Sequence, residues 1–319
     1  MKKVISILTC LCLLMTTGCS RQETIRFGAA GVGGMYYPFA NAFTELASKD
    51  EAGINWKVKS TAGSAANLRL LSDNYIELGI AQADLIEDAY YGKGSFHSGK
   101  YRGYKAVASL YPEACQIVVR KDSDITSLDD LEGKNVSVGE EESGTERNAT
   151  QILEMCGLPD NLVNTKNLDY TDAADQLAEK KIDAFFCTAG ICTTVIEELT
   201  KECDIRLLEI PESCRQKLKK AYSFYNDYVI PAGTYSGQTE GIQTISVQSV
   251  LLASSTLSEK TVQKLTASLF KHIKDIQYSI SINLQLTPQE AVKGITIPFH
   301  PGAEAYYRLE GVELPEVES

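Results

Sequence analysis

The chain has 319 residues, 44% of them hydrophobic and 23% charged, a composition that is globular and too apolar for a disordered protein. Its net charge of −11, from 31 Lys and Arg against 42 Asp and Glu, argues against nucleic-acid binding, because such a surface repels phosphates. The three histidines, His97, His272 and His300, lie far apart in sequence and offer little for a histidine-based metal or acid–base centre.

From the N-terminus, Lys2 and Lys3 precede an apolar run from Val4 to Met15, broken only by Ser6 and Thr9. That run is too short to span a hydrocarbon core, which takes about 20 residues. It suits the apolar region of a secretory signal. Thr16-Thr17-Gly18-Cys19-Ser20 follows and resembles a bacterial lipobox, with Thr16 where leucine is usual. The resemblance implies a signal peptide over residues 1–18 and a lipidated Cys19, anchoring the chain outside the cytoplasm at the bacterial cell membrane. An ordinary signal peptide with an incidental cysteine is the other reading. Loss of residues 1–18, and with them Lys2 and Lys3, takes the net charge from −11 to −13. Beyond Cys19 the cysteines are Cys115, Cys156, Cys187, Cys192, Cys203 and Cys214. Cys187/Cys192 and Cys203/Cys214 are the local candidates for disulfides, and free buried thiols are the alternative. No CxxC pair or neighbouring histidine supports a metal site.

Residues 20–24 read as a polar tether. Ile25 to Gly28 reads as a strand entering the turn Gly31-Val32-Gly33-Gly34, and Met35 to Lys49 has helical apolar spacing at Phe39, Ala42, Phe43, Leu46 and Ala47. Trp56 to Thr61 alternates as a second strand and turns through Ala62-Gly63-Ser64 into a helix from Ala65 to Ser72. Glu77 to Ala81 is a third strand, followed by a helix from Asp84 to Tyr91. Three β-turn-α units in succession predict a parallel α/β sheet.

A second block is expected after Tyr111-Pro112. Ala114 to Arg120 reads as a strand, Leu128 to Lys134 as a short helix closed at Gly133, and Asn135 to Gly139 as a strand entering Ser143-Gly144-Thr145 and a helix to Cys156. Strands follow at Asn167 to Tyr170, Ala184 to Cys187 and Ile205 to Ile210, with a helix over Thr171 to Lys180. Tyr228 to Gly237 then leads to a strand at Thr244 to Ala253 and a long helix from Ser258 to about Ile282. The expected organisation is lobe 1 over residues 25–112, lobe 2 with a hinge strand over 113–228, and a return to lobe 1 over 229–319.

In open α/β sheets ligands sit beyond the carboxyl ends of the strands. Four such ends carry small or hydroxyl residues that open a helix: Gly33-Gly34, Thr61 to Ser64, Ser143 to Thr145 and Thr188-Ala189-Gly190. Free N–H groups there suit an anion, although each turn read alone is also a helix cap. Nucleotide fingerprints do not fit: the first glycine turn lacks the third glycine, and no Gly-Lys-Ser/Thr follows. Ser143 is not in a G-x-S-x-G elbow. Glu140-Glu141-Glu142 reads as solvated surface.

Gly31 to Pro38, Thr61 to Leu71, Ala81 to Asp84, Ala108 to Glu113, Ser143 to Glu146, Ile182 to Phe186, Ile230 to Tyr235 and His300 to Ala303 resemble, in order, the motifs of the TAXI family of TRAP-associated extracytoplasmic solute receptors. The resemblance implies a two-lobe type II periplasmic-binding-protein-like α/β fold with a ligand cleft between lobes. It implies no enzyme and no cofactor, and a small carboxylate solute, glutamate-, glutamine- or dicarboxylate-like, passed by hinge closure to a sodium-coupled TRAP transporter membrane subunit. Carried over, the ligand-binding residues are Gly33, Gly34, Met35, Tyr36, Tyr37, Thr61, Ala62, Gly63, Ser64, Asn67 and Gln82 in the first lobe. Ser143, Gly144, Thr145, Thr188, Ala189 and Gly190 follow in the second, with Tyr235 near the hinge. The chain departs from the family at Ala29, Ala30 and Val32, where hydroxyls and a further glycine are common, and at Cys192 in place of proline. A ligand-presenting sensory module for a membrane receptor kinase is the alternative function, and a hydrolase using Ser143 or a cysteine a more distant one.

Overall fold

The computed structural model describes residues 23–317 except 98, 160, 281, 283 and 285; the expected signal segment, Cys19 and the first part of the tether lie outside the described residues. Three β-turn-α units open it: β1 (Glu23–Gly28) and α1 (Tyr36–Asp50), β2 (Ile54–Lys59) and α2 (Ser64–Ser72), β3 (Leu78–Gln82) and α3 (Ala83–Tyr91). After β4 (Tyr104–Arg120) come β5 (Asn135–Ser137), α4 (Gly144–Met155), β6 (Asn164–Lys166), α5 (Tyr170–Ala178), β7 (Ala184–Ala189), α6 (Thr194–Glu202), β8 (Ile205–Leu207) and α7 (Glu212–Ala221). The last elements are β9 (Asn226–Ile230), β10 (Ile242–Ser254), α8 (Glu259–Lys271), α9 (Ile273–Ile280) and α10 (Pro301–Leu309).

The strands form one continuous sheet in the order β2-β1-β3-β10-β4-β7-β5-β6, with β8 on β4 and β9 on β10. Pairs within the β1–β3 group and within β5–β7 are parallel; every pair involving β4 or β10 is antiparallel. The two long strands each serve both groups. β4 pairs with β10 over Tyr104–Ala114, with a register shift between Ser109 and Pro112, and with β7 over Ala114–Val119, while β10 pairs with β3 over Ser249–Ala253 and with β9 over Ile242–Ser246. Two lobes are therefore joined through a two-stranded crossing around residues 110–113 and 247–249.

Pro112 was expected to separate two blocks, yet β4 runs straight through it. The register of β10 shifts between Gln248 and Val250, opposite Pro112, so the ladder is already interrupted where proline has no N–H to give. The Ser249 hydroxyl fills in, donating to the Tyr111 carbonyl at 2.7 Å and accepting the Tyr111 N–H at 3.3 Å. Two further expectations shift. The strand placed at 167–170 lies at Asn164–Lys166, because Asp169 caps α5, its carboxylate accepting the Asp172 N–H at 2.8 Å. The long C-terminal helix breaks at His272, whose ring meets the Asp50 carboxylate at 3.0 Å.

Alternation along β7 shows how lobe 2 is covered. Phe185 and Cys187 face a core shared with lobe 1, whereas Ala184 and Phe186 face a second cluster with Ile152, Leu153 and Leu218 from α4 and α7. Both faces of this half-sheet are dry, as a parallel arrangement requires.

Candidate functional site

A cavity of about 50 Å³ lies between the lobes at the carboxyl ends of the parallel strands, the place such folds reserve for ligands. It has room for roughly three to five waters, at about 10–15 Å³ for each. Of the residues expected at a binding site, Gly34, Met35, Tyr36, Ala62, Gly63, Ser64, Gln82, Ser143, Gly144, Thr145, Thr188 and Ala189 line it. Gly33 and Thr61 lie at the neighbouring mouth with Val32 and Thr171. Tyr37, Asn67, Gly190 and Tyr235 line neither space.

Those four have structural partners. Asn67 is fully buried and its amide nitrogen donates to the carbonyls of Gly28, at 3.2 Å, and Ile80, at 2.9 Å, tying α2 to β1 and β3. The Tyr235 hydroxyl donates to Gln116 Oε1 at 2.5 Å and accepts the Thr193 N–H at 3.2 Å, which pins the crossing loop to lobe 2. Gly190 abuts Ile282, Met35 and Tyr111, and Tyr37 packs half-buried on the lobe 1 core.

Most hydroxyls at the strand ends are also engaged within the protein. Ser143 N-caps α4, its Oγ accepting the Glu146 N–H at 3.0 Å, while the Glu146 carboxylate accepts the Glu142 N–H at 3.0 Å, much as in a capping box. Thr145 Oγ1 accepts the Thr188 N–H at 3.2 Å and lies 2.5 Å from the Tyr170 hydroxyl, which in turn donates to the Thr188 carbonyl at 3.1 Å. Thr61 Oγ1 accepts the Ala30 N–H at 3.0 Å and donates to Asn67 Oδ1 at 2.7 Å. Ser64 Oγ accepts the Gln82 N–H at 3.1 Å. What the α4 turn still offers a solute is the N–H groups of Gly144 and Thr145, in a first turn that has no intrahelical acceptor for them.

The glycines bring lobe against lobe. A Cβ on Gly144 would sit 2.3 Å from the Gln82 side chain, and one on Gly63 3.3 Å from Ser143 Cα. Lobe 2 also reaches into the start of α2, where the Glu142 carbonyl accepts the N–H groups of Ala65, at 3.1 Å, and Ala66, at 3.3 Å. Glu142 was expected to be solvated surface, and it is exposed, but it is not unpartnered. Arg69 grips its carboxylate with two bonds, 3.1 Å from Nε and 2.7 Å from a terminal nitrogen. Arg147 of α4 makes the matching link in the other direction, its Nε 3.1 Å from the buried Asp84 carboxylate and its terminal nitrogen on Asp88, both on α3. Burial pushes Asp84 up to about 6 against the pull of Arg147.

Sequence reading did not single out Glu113, Asp169 and Tyr170 and took Glu140 for solvated surface, yet all four line the cavity. Glu113 sits mid-strand in β4, 2% exposed, accepting the Tyr36 hydroxyl at 2.9 Å and a bond from the Gln82 side chain. Burial raises its carboxyl to about 8, the nearby Asp84 adds to the rise, and the two hydrogen bonds oppose it. Glu140 is raised by burial and by Asp169. No Lys, Arg or His lines the cavity among the described residues. The signal for Glu113 was an acid inside the apolar run Ala106 to Val119. Among the described residues no cluster of His, Cys, Asp and Glu could hold a metal ion, and no helix is long and apolar enough to cross a membrane.

The sequence pattern of the NMT1-like family matches residues 27–311. Among solved structures, a protein from Bordetella bronchiseptica RB50 superposes with a TM-score of 0.54 at 17% identity, over 91% of this chain and 80% of that one. The alkanesulfonate-binding protein of Xanthomonas axonopodis pv. citri bound to MOPS gives 0.51 at 16% identity, over 90% and 83%. A binding protein component of an ABC phosphonate transporter from Pseudomonas aeruginosa gives 0.52 at 13% identity, over 82% and 80%. These likenesses establish the fold: two α/β lobes of the type II periplasmic-binding-protein kind.

Proposed function

We propose that this chain, which belongs to the NMT1-like family, is an extracytoplasmic solute-binding protein that closes over a small carboxylate solute and delivers it to a membrane transporter. The observation that carries the reading is the small cavity lined by strand-end turns of both lobes, the first turn of α4 among them. A solute spanning the two lobes stabilises the closed form by its differential affinity for that form, and this is all the chemistry the function needs. The moving bodies are lobe 1, residues 25–112 and 229–319, and lobe 2, residues 113–228.

The solute's carboxylate would lie on the N–H groups of Gly144 and Thr145. Glu140 and Asp169 supply acceptors on the other side, so the lining favours a carboxylate that also carries an ammonium or amide donor over a dicarboxylate. The partner is a TRAP transporter membrane subunit, as the motif resemblance implies, and Cys19 carries the lipid that holds the receptor beside it. Native mass spectrometry of freshly purified protein, followed by calorimetry with the solute it carries, tests the site. A nitrogen-bearing carboxylate is expected, with a smaller radius of gyration in scattering at saturation. Turnover of the solute, or an unchanged radius, overturns the reading. Cys19→Ala is expected to release the protein from membranes.

A further inference from the structure

The six cysteines beyond residue 22 are unbonded in this structure, and their placement separates them sharply. Cys203 packs on the core shared with lobe 1, whereas Cys214 lies in the second cluster, on the opposite face of the half-sheet. That separation rules out the pair suggested by proximity in sequence. Cys187 is enclosed beside Tyr170 and Thr193, Cys192 lies half-buried by Glu197, and Cys115 accepts the Thr188 hydroxyl at 3.5 Å.

Cys156 and Cys214 differ from the rest. Cys156 is the C-cap of α4, its N–H donating to the Ile152 carbonyl at 3.0 Å. Cys214 stands in the first turn of α7, its N–H donating to the Pro211 carbonyl at 2.9 Å. Both border the same apolar cluster where α4 packs on α7, and Cys214 adds to burial in pushing the Cys156 thiol up. One helical turn along α7, Lys217 Nζ reaches the carbonyl of Met155 at 3.4 Å, so the two helices are tied together beside the two thiols.

We propose that Cys156 and Cys214 are a modification site, joined as a disulfide by an oxidised dithiol oxidoreductase on the extracytoplasmic side. One thiolate attacks the disulfide of that oxidant to give a mixed disulfide, and the second displaces it. The two thiols lose two protons, and the two electrons leave with the oxidant as its reduced dithiol. The bond fastens the far end of α4, whose first turn lines the solute cavity, and closes a long loop containing β6, α5, β7, α6 and β8.

The test refolds the full chain with and without such an oxidant, alkylates it under denaturing conditions and digests it without reductant. The expected result is a linked peptide pair containing Cys156 and Cys214, two hydrogens lighter than the reduced pair, with Cys115, Cys187, Cys192 and Cys203 alkylated. Alkylation of both Cys156 and Cys214 after oxidation, or a link to any other cysteine, overturns the proposal. Reductant is expected to lower the Tm of the oxidised protein by about 5–15 °C and to leave the C156S/C214S variant unmoved. An equal response in both proteins also overturns it. The peptide map decides by itself if the double variant does not fold.

Discussion

The starts of α2 and α4 look alike in sequence, Ala62-Gly63-Ser64-Ala65 and Glu142-Ser143-Gly144-Thr145, and both lie at a strand end facing the other lobe. Their N–H groups have different fates. Those of Ala65 and Ala66 are taken by the Glu142 carbonyl from across the cleft, while Gly144 and Thr145 line the cavity. A helix start is an anion site only if nothing else reaches it first. Here the neighbour that reaches it lies about 75 residues away in sequence, and it closes the protein rather than binding cargo.

The largest test of that contrast is Gly144→Asp. It puts a side chain where Gln82 already stands and a negative charge at the helix start, so solute affinity in calorimetry is expected to fall at least about 1000-fold, roughly 4 kcal/mol. Retained binding would mean that the anion is held elsewhere.

Next comes the acid facing the α4 turn. The Glu113 carboxyl keeps its proton to about pH 8 in the folded chain, against 4.5 as its ordinary value. Between those values the folded state binds the extra proton, so stability is greatest below 4.5 and falls as pH rises towards 8. Glu113→Gln is expected to flatten that fall, an effect on the order of a few kcal/mol, read as Tm against pH for the solute-free protein. A parallel slope in variant and wild type would show that Glu113 titrates normally.

Ser143→Ala separates capping from binding. Loss of the cap should cost about 1 kcal/mol of stability by urea denaturation, yet leave solute affinity within about threefold. A tenfold loss of affinity would put the hydroxyl on the solute after all. The smallest expected effect is that of Arg69→Ala, which frees the Glu142 carboxylate beside the start of α2. The pair is largely exposed, so unfolding in urea should move by less than about 1 kcal/mol. A larger shift would show that the carbonyl clasp on α2 depends on that ion pair.

These outcomes turn on what could be read in the sequence. The repeated strand, glycine or hydroxyl turn and apolar-spaced helix marked both parallel groups of strands, because each unit is a local pattern. Ser143-Gly144-Thr145 was legible for the same reason, and Gln82 only through the family resemblance. Glu113 was not, since its burial depends on the crossing of β4 over β10, and Pro112 beside it looked like a break. Asp169 and Tyr170 were hidden by a strand placed three residues too late. The grips of Arg69 on Glu142 and of Arg147 on Asp84 join opposite lobes, and no local pattern announces them. Spacing also favoured Cys203 with Cys214, which the two faces of the sheet keep apart.

The place of β10 in the sheet has a consequence for how the chain must be made. This strand lies between β3 and the first half of β4, yet it is the last strand to be synthesised. Until Ile242–Ser254 emerges, both of those neighbours present unpaired edges, and Leu78, Ile80, Ala106 and Ala108 beside them have no finished core to enter. The β4-β7-β5-β6 ladder, by contrast, is complete in residues 104–189 and can pair while the remainder is still on the ribosome. A nascent or translocating chain stalled before residue 242 would carry one half able to assemble and another prone to aggregate through its open edges.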